Sequence, residues 1–178
     1  MPHFSNYDLA ARAAAISGLC MQVLSYPNPG RSYRWQNQYR NFEGIEVTPI
    51  SISSLRIAVK RLENGGTILT GIDRPNGNNS CRPTFFGKPA SLPTGYIRLA
   101  IKTGVPISVI LCSSTPEGRY RLSVSDPITM IKRRDPVEEE KMNAEVVLSG
   151  IEVLIKNDPG HWSMFYPVWP EVMKDLPM

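Results

Sequence analysis

The feature that most narrows the folds open to this chain is an alternation of helix-period and strand-period segments from residue 9 to residue 112. Apolar residues recurring every three to four positions argue for helix, and short apolar runs bounded by Gly, Pro and Asn argue for strand. Residues 9–16 read as an alanine-rich helix ending at Gly18, capped at its start by Ser5 or Asn6. Residues 19–26 (LCMQVLSY) read as a buried strand closed by the turn Pro27-Asn28-Pro29-Gly30. Ser32 is placed to cap a polar, aromatic helix (SYRWQNQYRNF), and a strand follows at 45–50. Ser51 or Ser53 then starts a helix through Leu55, Val59 and Leu62, stopped by Asn64-Gly65-Gly66. A short apolar strand, 67–72, runs into Asp73; a helix spans 95–103; and 106–112 (PISVILC) is the strongest strand pattern of all. Such alternation predicts an α/β fold, a three-layer α-β-α sandwich with a largely parallel central sheet. Sites in such sheets form at the carboxyl ends of strands, so the loop at Asp73 and the turn after Tyr26 are expected to open on one crevice.

The remainder adds detail rather than a second domain. Residues 73–94 form a long irregular stretch, dense in Pro, Gly and Asn, whose aromatic pair Phe85-Phe86 suggests an ordered flap. A hairpin turning at Pro116-Glu117-Gly118 follows residue 112. A helix is expected over 136–156, with Met142, Val146, Ile151, Leu154 and Ile155 on one face. The tail HWSMFYPVWP is expected to pack across the body as a clasp, with Trp162, Tyr166 and Trp169 in packing roles. No repeat or linker divides the chain, so 1–178 reads as one domain.

Charge and cysteine usage set limits on partners. A net charge of +4 suits an anionic partner, but Lys132-Arg133-Arg134 is the only basic cluster and reads as a solvated turn. No basic run with interleaved aromatics marks a nucleic-acid groove, so no nucleic acid is expected. Cys20, Cys81 and Cys112 are odd in number and far apart, which argues against a disulfide framework and against a zinc site. Cys20 and Cys112 lie in apolar runs and are expected to be buried, in a reducing cytosolic setting. No metal is implied, and no glycine-rich phosphate loop joins the first strand to its helix. Without an apolar run of bilayer length, any membrane contact is expected to be peripheral.

Chemistry first shows at the start of the chain. His3 and Asp8 lie five positions apart, with Asp8 in the first turn of the first predicted helix. A neutral imidazole takes a proton from an alcohol, and a neighbouring carboxylate fixes its tautomer and stabilises the imidazolium. The bland alternative is a terminal histidine and a helix N-terminal charge.

The segment His3-Phe4-Ser5-Asn6-Tyr7-Asp8-Leu9-Ala10 resembles the His-X4-Asp/Glu block of the bacterial lipid A biosynthesis (lauroyl/myristoyl) acyltransferases, within the lysophospholipid and glycerolphosphate acyltransferase superfamily. Arg40-Asn41-Phe42-Glu43-Gly44 is similar to the family's arginine-then-glycine block. Leu62-Glu63-Asn64-Gly65-Gly66 with Ile72-Asp73-Arg74 is similar to its Gly-Gly, strand, Asp block. Phe85-Phe86-Gly87-Lys88-Pro89-Ala90, with Pro93, Gly95 and Arg98-Leu99-Ala100, resembles its most distinctive stretch. Thr103-Gly104-Val105-Pro106 and Pro159-Gly160-His161-Trp162 complete the ordered set, which covers nearly the whole chain. Two departures stand out. The chain begins at the motif, so it is expected to be N-terminally truncated relative to the family. Asp73 is followed by Arg74 where the lipid A enzymes usually carry Gln, a feature shared with the phosphatidylinositol-mannoside acyltransferases.

The resemblance implies transfer of a fatty acyl group from an acyl carrier protein or coenzyme A thioester to a hydroxyl of a glycolipid, lipid A-like or phosphatidylinositol mannoside-like. The thioester is a co-substrate and no cofactor is implied. The setting would be the cytoplasmic face of the bacterial inner membrane, peripherally, or the cytoplasm. His3 would be the general base and Asp8 its orienting acid. Arg40 would anchor an anionic group of acceptor or donor, or else serve as a helix C-terminal cation. Asp73 and Arg74 would bind sugar hydroxyls and phosphate, or else form a local turn salt link. Phe85, Phe86 and Gly87 would wall the acyl chain, or else pin the long loop to the core. The rival class is a catalytically inactive, truncated acyltransferase-like domain that binds lipid or a partner.

Overall fold

The computed structural model describes residues 1–75, 81–169 and 171. They fall into two units, Asn6–Gly71 and Met1–Ser5 with Ile72–Met178. No helix among the described residues is long and apolar enough to cross a membrane.

The unit Asn6–Gly71 is a βαβ-type assembly. Helix α1 (Tyr7–Ile16) begins where the Asn6 side chain accepts from the Leu9 N–H at 3.3 Å, and it ends before Gly18, whose φ of +94° an L side chain rarely adopts. Strand β1 (Met21–Ser25), helix α2 (Arg31–Arg40), strand β2 (Ile45–Pro49), helix α3 (Ile52–Glu63) and strand β3 (Thr67–Thr70) follow. The strands form a parallel sheet in the order β2-β1-β3, with Met21 opposite both Ile45 and Thr67. The central strand β1 is buried along most of its length, including Gln22, which donates to Thr48 Oγ1 at 2.8 Å. Ser51 caps α3 in a reciprocal box with Ser54.

Two expectations need correcting in this unit. Ser32 does not cap α2: the cap lies two residues earlier, at Gly30, whose carbonyl accepts the first helical bond from Arg34 N–H. Cys20 is exposed, because β1 begins only at Met21 and leaves Cys20 in the connection after Gly18.

The second unit carries hairpins and two helices. Its elements are strands β4 (Thr84–Phe85) and β5 (Lys88–Pro89), helix α4 (Gly95–Thr103), strands β6 (Ile110–Ser114) and β7 (Tyr120–Val124), helix α5 (Pro136–Asn157) and a 3-10 turn, Pro159–His161. The strand expected at 106–112 is shifted to Ile110–Ser114 and pairs antiparallel with β7. The reason is local: a tight turn, with Thr115 N–H bonded to Arg119 O at 2.7 Å and Gly118 at φ +73°, folds β7 straight back onto β6. The α/β class holds, and the parallel sheet among the described residues has three strands.

Helix α5 buries Ile151 and Ile155 as expected, with Leu154 packed partly on the core, but its inward face extends to residues not expected there. Asn143, Ala144, Val147, Leu148, Ile151 and Ile155 are buried, while Val146 is 42% exposed. Asn143 earns its place because its side chain is fully used: Oδ1 accepts from Ile131 N–H, and Nδ2 donates to the carbonyls of Ile131 and Glu139, each at 2.8 Å. Asn143→Ala removes three hydrogen bonds of a buried side chain, two of them to the backbone of the half-exposed Ile131, and is expected to cost about 1–3 kcal/mol in urea unfolding. Residues 76–80 of the expected flap, and Pro170 of the expected clasp, lie outside the described residues.

Candidate active site

The first cluster is built entirely from residues of the second unit. Asp73, which follows β3 by three residues in the chain, is fully buried. A carboxylate in such a place must be paired with donors. Its Oδ1 meets His3 Nδ1 at 2.6 Å; its Oδ2 accepts from the backbone N–H of His3 and from the indole Nε1–H of Trp162, both at 2.8 Å. Burial pushes the Asp73 carboxyl upward, but the His3 bonds and charge, with the Trp162 bond, outweigh it and hold the group below its ordinary value. An ionised carboxylate only accepts, so His3 Nδ1 carries the proton and Nε2 is left as the basic nitrogen. The backbone around His3 is tied down: Ser163 N–H bonds the His3 carbonyl at 2.8 Å, and Phe4, 4% exposed, bridges antiparallel to Trp162. Ser5 turns the chain at φ +49° while its N–H bonds His161 O at 2.7 Å.

Beside it lies an aromatic cage. Strands β4 and β5 are joined by Phe86 and Gly87, at φ +51° and +73°, as a two-residue hairpin with both central residues left-handed. Two carboxylates one heptad apart on α5 hold this hairpin: Glu145 accepts from Thr84 N–H at 2.8 Å and Glu152 from Phe86 N–H at 2.7 Å. Phe85 is fully buried, stacked on Trp169 at 5.9 Å and edge-on to Phe86 and Trp162. Lys156 lies over the Phe86 ring at 5.5 Å. Arg74 is braced on Tyr166, with its guanidinium 4.3 Å from the ring centroid and 2.8 Å from the hydroxyl.

The unit Asn6–Gly71 holds a separate cluster. Arg40, in the last turn of α2, grips Asp8 with two nitrogens, Nε to Oδ1 at 2.9 Å and a terminal nitrogen to Oδ2 at 3.2 Å. It also donates to the Tyr7 hydroxyl at 3.1 Å and lies over the Tyr7 and Tyr33 rings. Burial works against the guanidinium charge, yet Asp8 and the phenols hold its pKa above the ordinary value.

Residues 1–171 match the family model described as bacterial lipid A biosynthesis acyltransferase. The chain belongs to that family. Among curated relatives, it is 27% identical over 116 residues to the phosphatidylinositol mannoside acyltransferase of Mycobacterium tuberculosis (strain CDC 1551 / Oshkosh), covering 63% of this chain and 37% of the relative. The protein of the same name from Mycolicibacterium smegmatis is 27% identical over 116 residues, covering 63% of this chain and 38% of the relative. The matched stretch thus spans well under half the length of these relatives.

In this lipid A acyltransferase-family chain, the carboxylate on the His3 ring is Asp73, while Asp8 carries the Arg40 ion pair. Asp73 has its oxygens turned to His3 and Trp162, and Arg74 turns to Tyr166. Phe85, Phe86 and Gly87 form one hairpin tip. Trp162 was expected only to pack; it also donates to Asp73. The available signal was chemical: a half-buried indole needs an acceptor, and a buried carboxylate needs donors.

Proposed function

We propose that the chain transfers a fatty acyl group from an acyl carrier protein or coenzyme A thioester to a hydroxyl of a phosphatidylinositol mannoside-like glycolipid, with His3 as general base. The observation that carries this reading is the His3–Asp73 pair, a histidine whose Nδ1 is held at 2.6 Å by a buried carboxylate. His3 Nε2 takes the proton of the acceptor hydroxyl, whose oxygen attacks the thioester carbonyl; the tetrahedral intermediate then expels the thiolate. Asp73 stabilises the imidazolium that forms, and the proton passes on to the leaving sulfur. The acceptor oxygen attacks directly, so no acyl-enzyme is required.

The acceptor class rests on the relatives' names and on the Asp73-Arg74 pair that accompanies the resemblance. Arg74, braced on Tyr166, is the proposed phosphate contact; Phe86 with Gly87, over the buried Phe85, is the proposed acyl wall. Arg40 is the proposed anchor for an anionic group, a role in which its two-pronged grip on Asp8 gives way to one on phosphate. Asp8 keeps the motif's acidic place by its spacing from His3. The sheet β2-β1-β3 is the proposed middle layer of an α-β-α sandwich, and the protein is placed peripherally at the cytoplasmic face of the bacterial inner membrane.

The test is an acyl-transfer assay on the purified chain, and on a longer chain carrying the same residues, with labelled acyl carrier protein or acyl-CoA. Acceptors would be mannosylated phosphatidylinositol and a lipid A precursor. Transfer to the mannosylated lipid that vanishes in His3→Ala supports the reading. Lipid binding without transfer by either chain overturns it in favour of a binding domain.

A further inference from the structure

The chain's second histidine is not used by the reaction above, yet both of its ring nitrogens meet a side-chain partner. Asp158 closes α5 and opens the 3-10 turn Pro159–His161, which places its carboxylate three residues before His161. Its Oδ2 hydrogen-bonds His161 Nδ1. On the other side of the ring, His161 Nε2 lies 2.7 Å from the hydroxyl oxygen of Ser114, the last residue of β6. The ring is steadied by Phe4, 5.9 Å away, and by the bond from Ser5 N–H to the His161 carbonyl. The atoms are used in the order that activates a hydroxyl: carboxylate to Nδ1, Nε2 to serine oxygen. Ser114 is exposed and the His161 side chain is 35% exposed, so a soluble substrate reaches both without a pocket opening.

We propose that Ser114, His161 and Asp158 form a second, hydrolytic centre that cleaves small, water-accessible acyl thioesters and esters. The Ser114 hydroxyl passes its proton to His161 Nε2 as its oxygen bonds to the acyl carbonyl carbon. Collapse of the tetrahedral species breaks the carbon–sulfur bond, and the departing thiolate takes the proton from His161. Water then attacks the acyl-serine ester, His161 accepts its proton and returns it to Ser114, and the carboxylic acid leaves. The balance is thioester plus water to acid plus thiol. Asp158 holds the Nδ1–H tautomer and stabilises the imidazolium.

The test treats the full chain with a fluorophosphonate and maps the adduct by peptide mass spectrometry, alongside hydrolysis of an S-butyryl thioester. One adduct is expected, on Ser114, absent in Ser114→Ala. Its rate is expected to fall about 10³-fold in His161→Ala and about a hundredfold in Asp158→Asn, each checked for native melting. A probe that leaves Ser114 unmodified, or modifies it equally fast in a folded His161→Ala protein, overturns the proposal. Labelling reads this centre without reference to acyl transfer, so failure of the His3 reading and failure of this one are separate results.

Discussion

Asp73→Asn is expected to lower kcat for the proposed acyl transfer about 10³- to 10⁴-fold with the fold intact. The size follows from which oxygen meets which donor. Two N–H groups, His3 backbone and Trp162 indole, both point at Oδ2, so an asparagine must place its carbonyl oxygen there. Its NH2 then occupies the Oδ1 position, 2.6 Å from His3 Nδ1, and donates to it. That forces the imidazole proton onto Nε2, the nitrogen proposed to accept the substrate proton. The shape survives and the tautomer is wrong. Nitrogen-resolved NMR of the His3 ring is expected to show Nδ1–H in the native chain and Nε2–H in the variant; Nδ1–H in both sinks the argument. The same pair carries a pH signature. Because the Asp73 carboxyl is held below its ordinary value of 3.8, its contribution to stability is present above that pH and is lost as the pH falls through the lower folded value. Acid unfolding below about pH 4 is therefore expected to flatten in Asp73→Asn.

Much of this molecule is legible in its residues because local rules agree with the final structure. Asn6 and Ser51 cap the helices expected of them, Asn64-Gly65-Gly66 ends α3, and α4 runs over 95–103 as expected. What sequence patterns do not carry is partnership across long separations. Asp73 lies 70 positions from His3 and 89 from Trp162, and nothing in the local sequence of a turn carboxylate says that it will be buried under both. The spacing of His3 and Asp8 is visible at a glance, whereas the carboxylate on the ring comes from elsewhere in the chain. Part of the inward face of α5 escaped for the opposite reason. Asn143 looks polar and therefore outward, and its bonds to both backbone groups of Ile131 let it sit in the core. The hairpin turn expected at Pro116-Glu117-Gly118 is where the chain folds back, and only the bounds of the strand before it differ, at Ile110–Ser114 in place of 106–112, because apolar content does not mark where pairing begins.

Phe85→Ala is expected to destabilise the chain by about 3–5 kcal/mol, a large part of what a domain of this kind has to lose. The ring has no exposed surface and touches three other aromatics, at centroid distances of 4.7 Å to Phe86, 5.9 Å to Trp169 and 6.0 Å to Trp162. The cage is pinned at its polar ends, by Trp169 donating to the Phe85 carbonyl at 3.0 Å and by Glu152 on Phe86 N–H, so it cannot collapse to fill the void. Phe86 makes the contrast. It is only partly buried and sits at φ +51°, so Phe86→Gly relieves backbone strain while losing ring contacts, and the net cost is expected to be about 1 kcal/mol or less. Urea unfolding of the two variants measures both, and a larger cost at Phe86 than at Phe85 would show that the hairpin tip, not the buried ring, holds the cage. Activity follows from the same packing. Trp162 leans on Phe85 and presents its indole N–H to Asp73, so a void under it loosens one of the two donors that fix Oδ2. Phe85→Ala should therefore lower kcat in an otherwise native chain, yet add little to the loss already caused by Asp73→Asn, because the tautomer it helps to hold is gone.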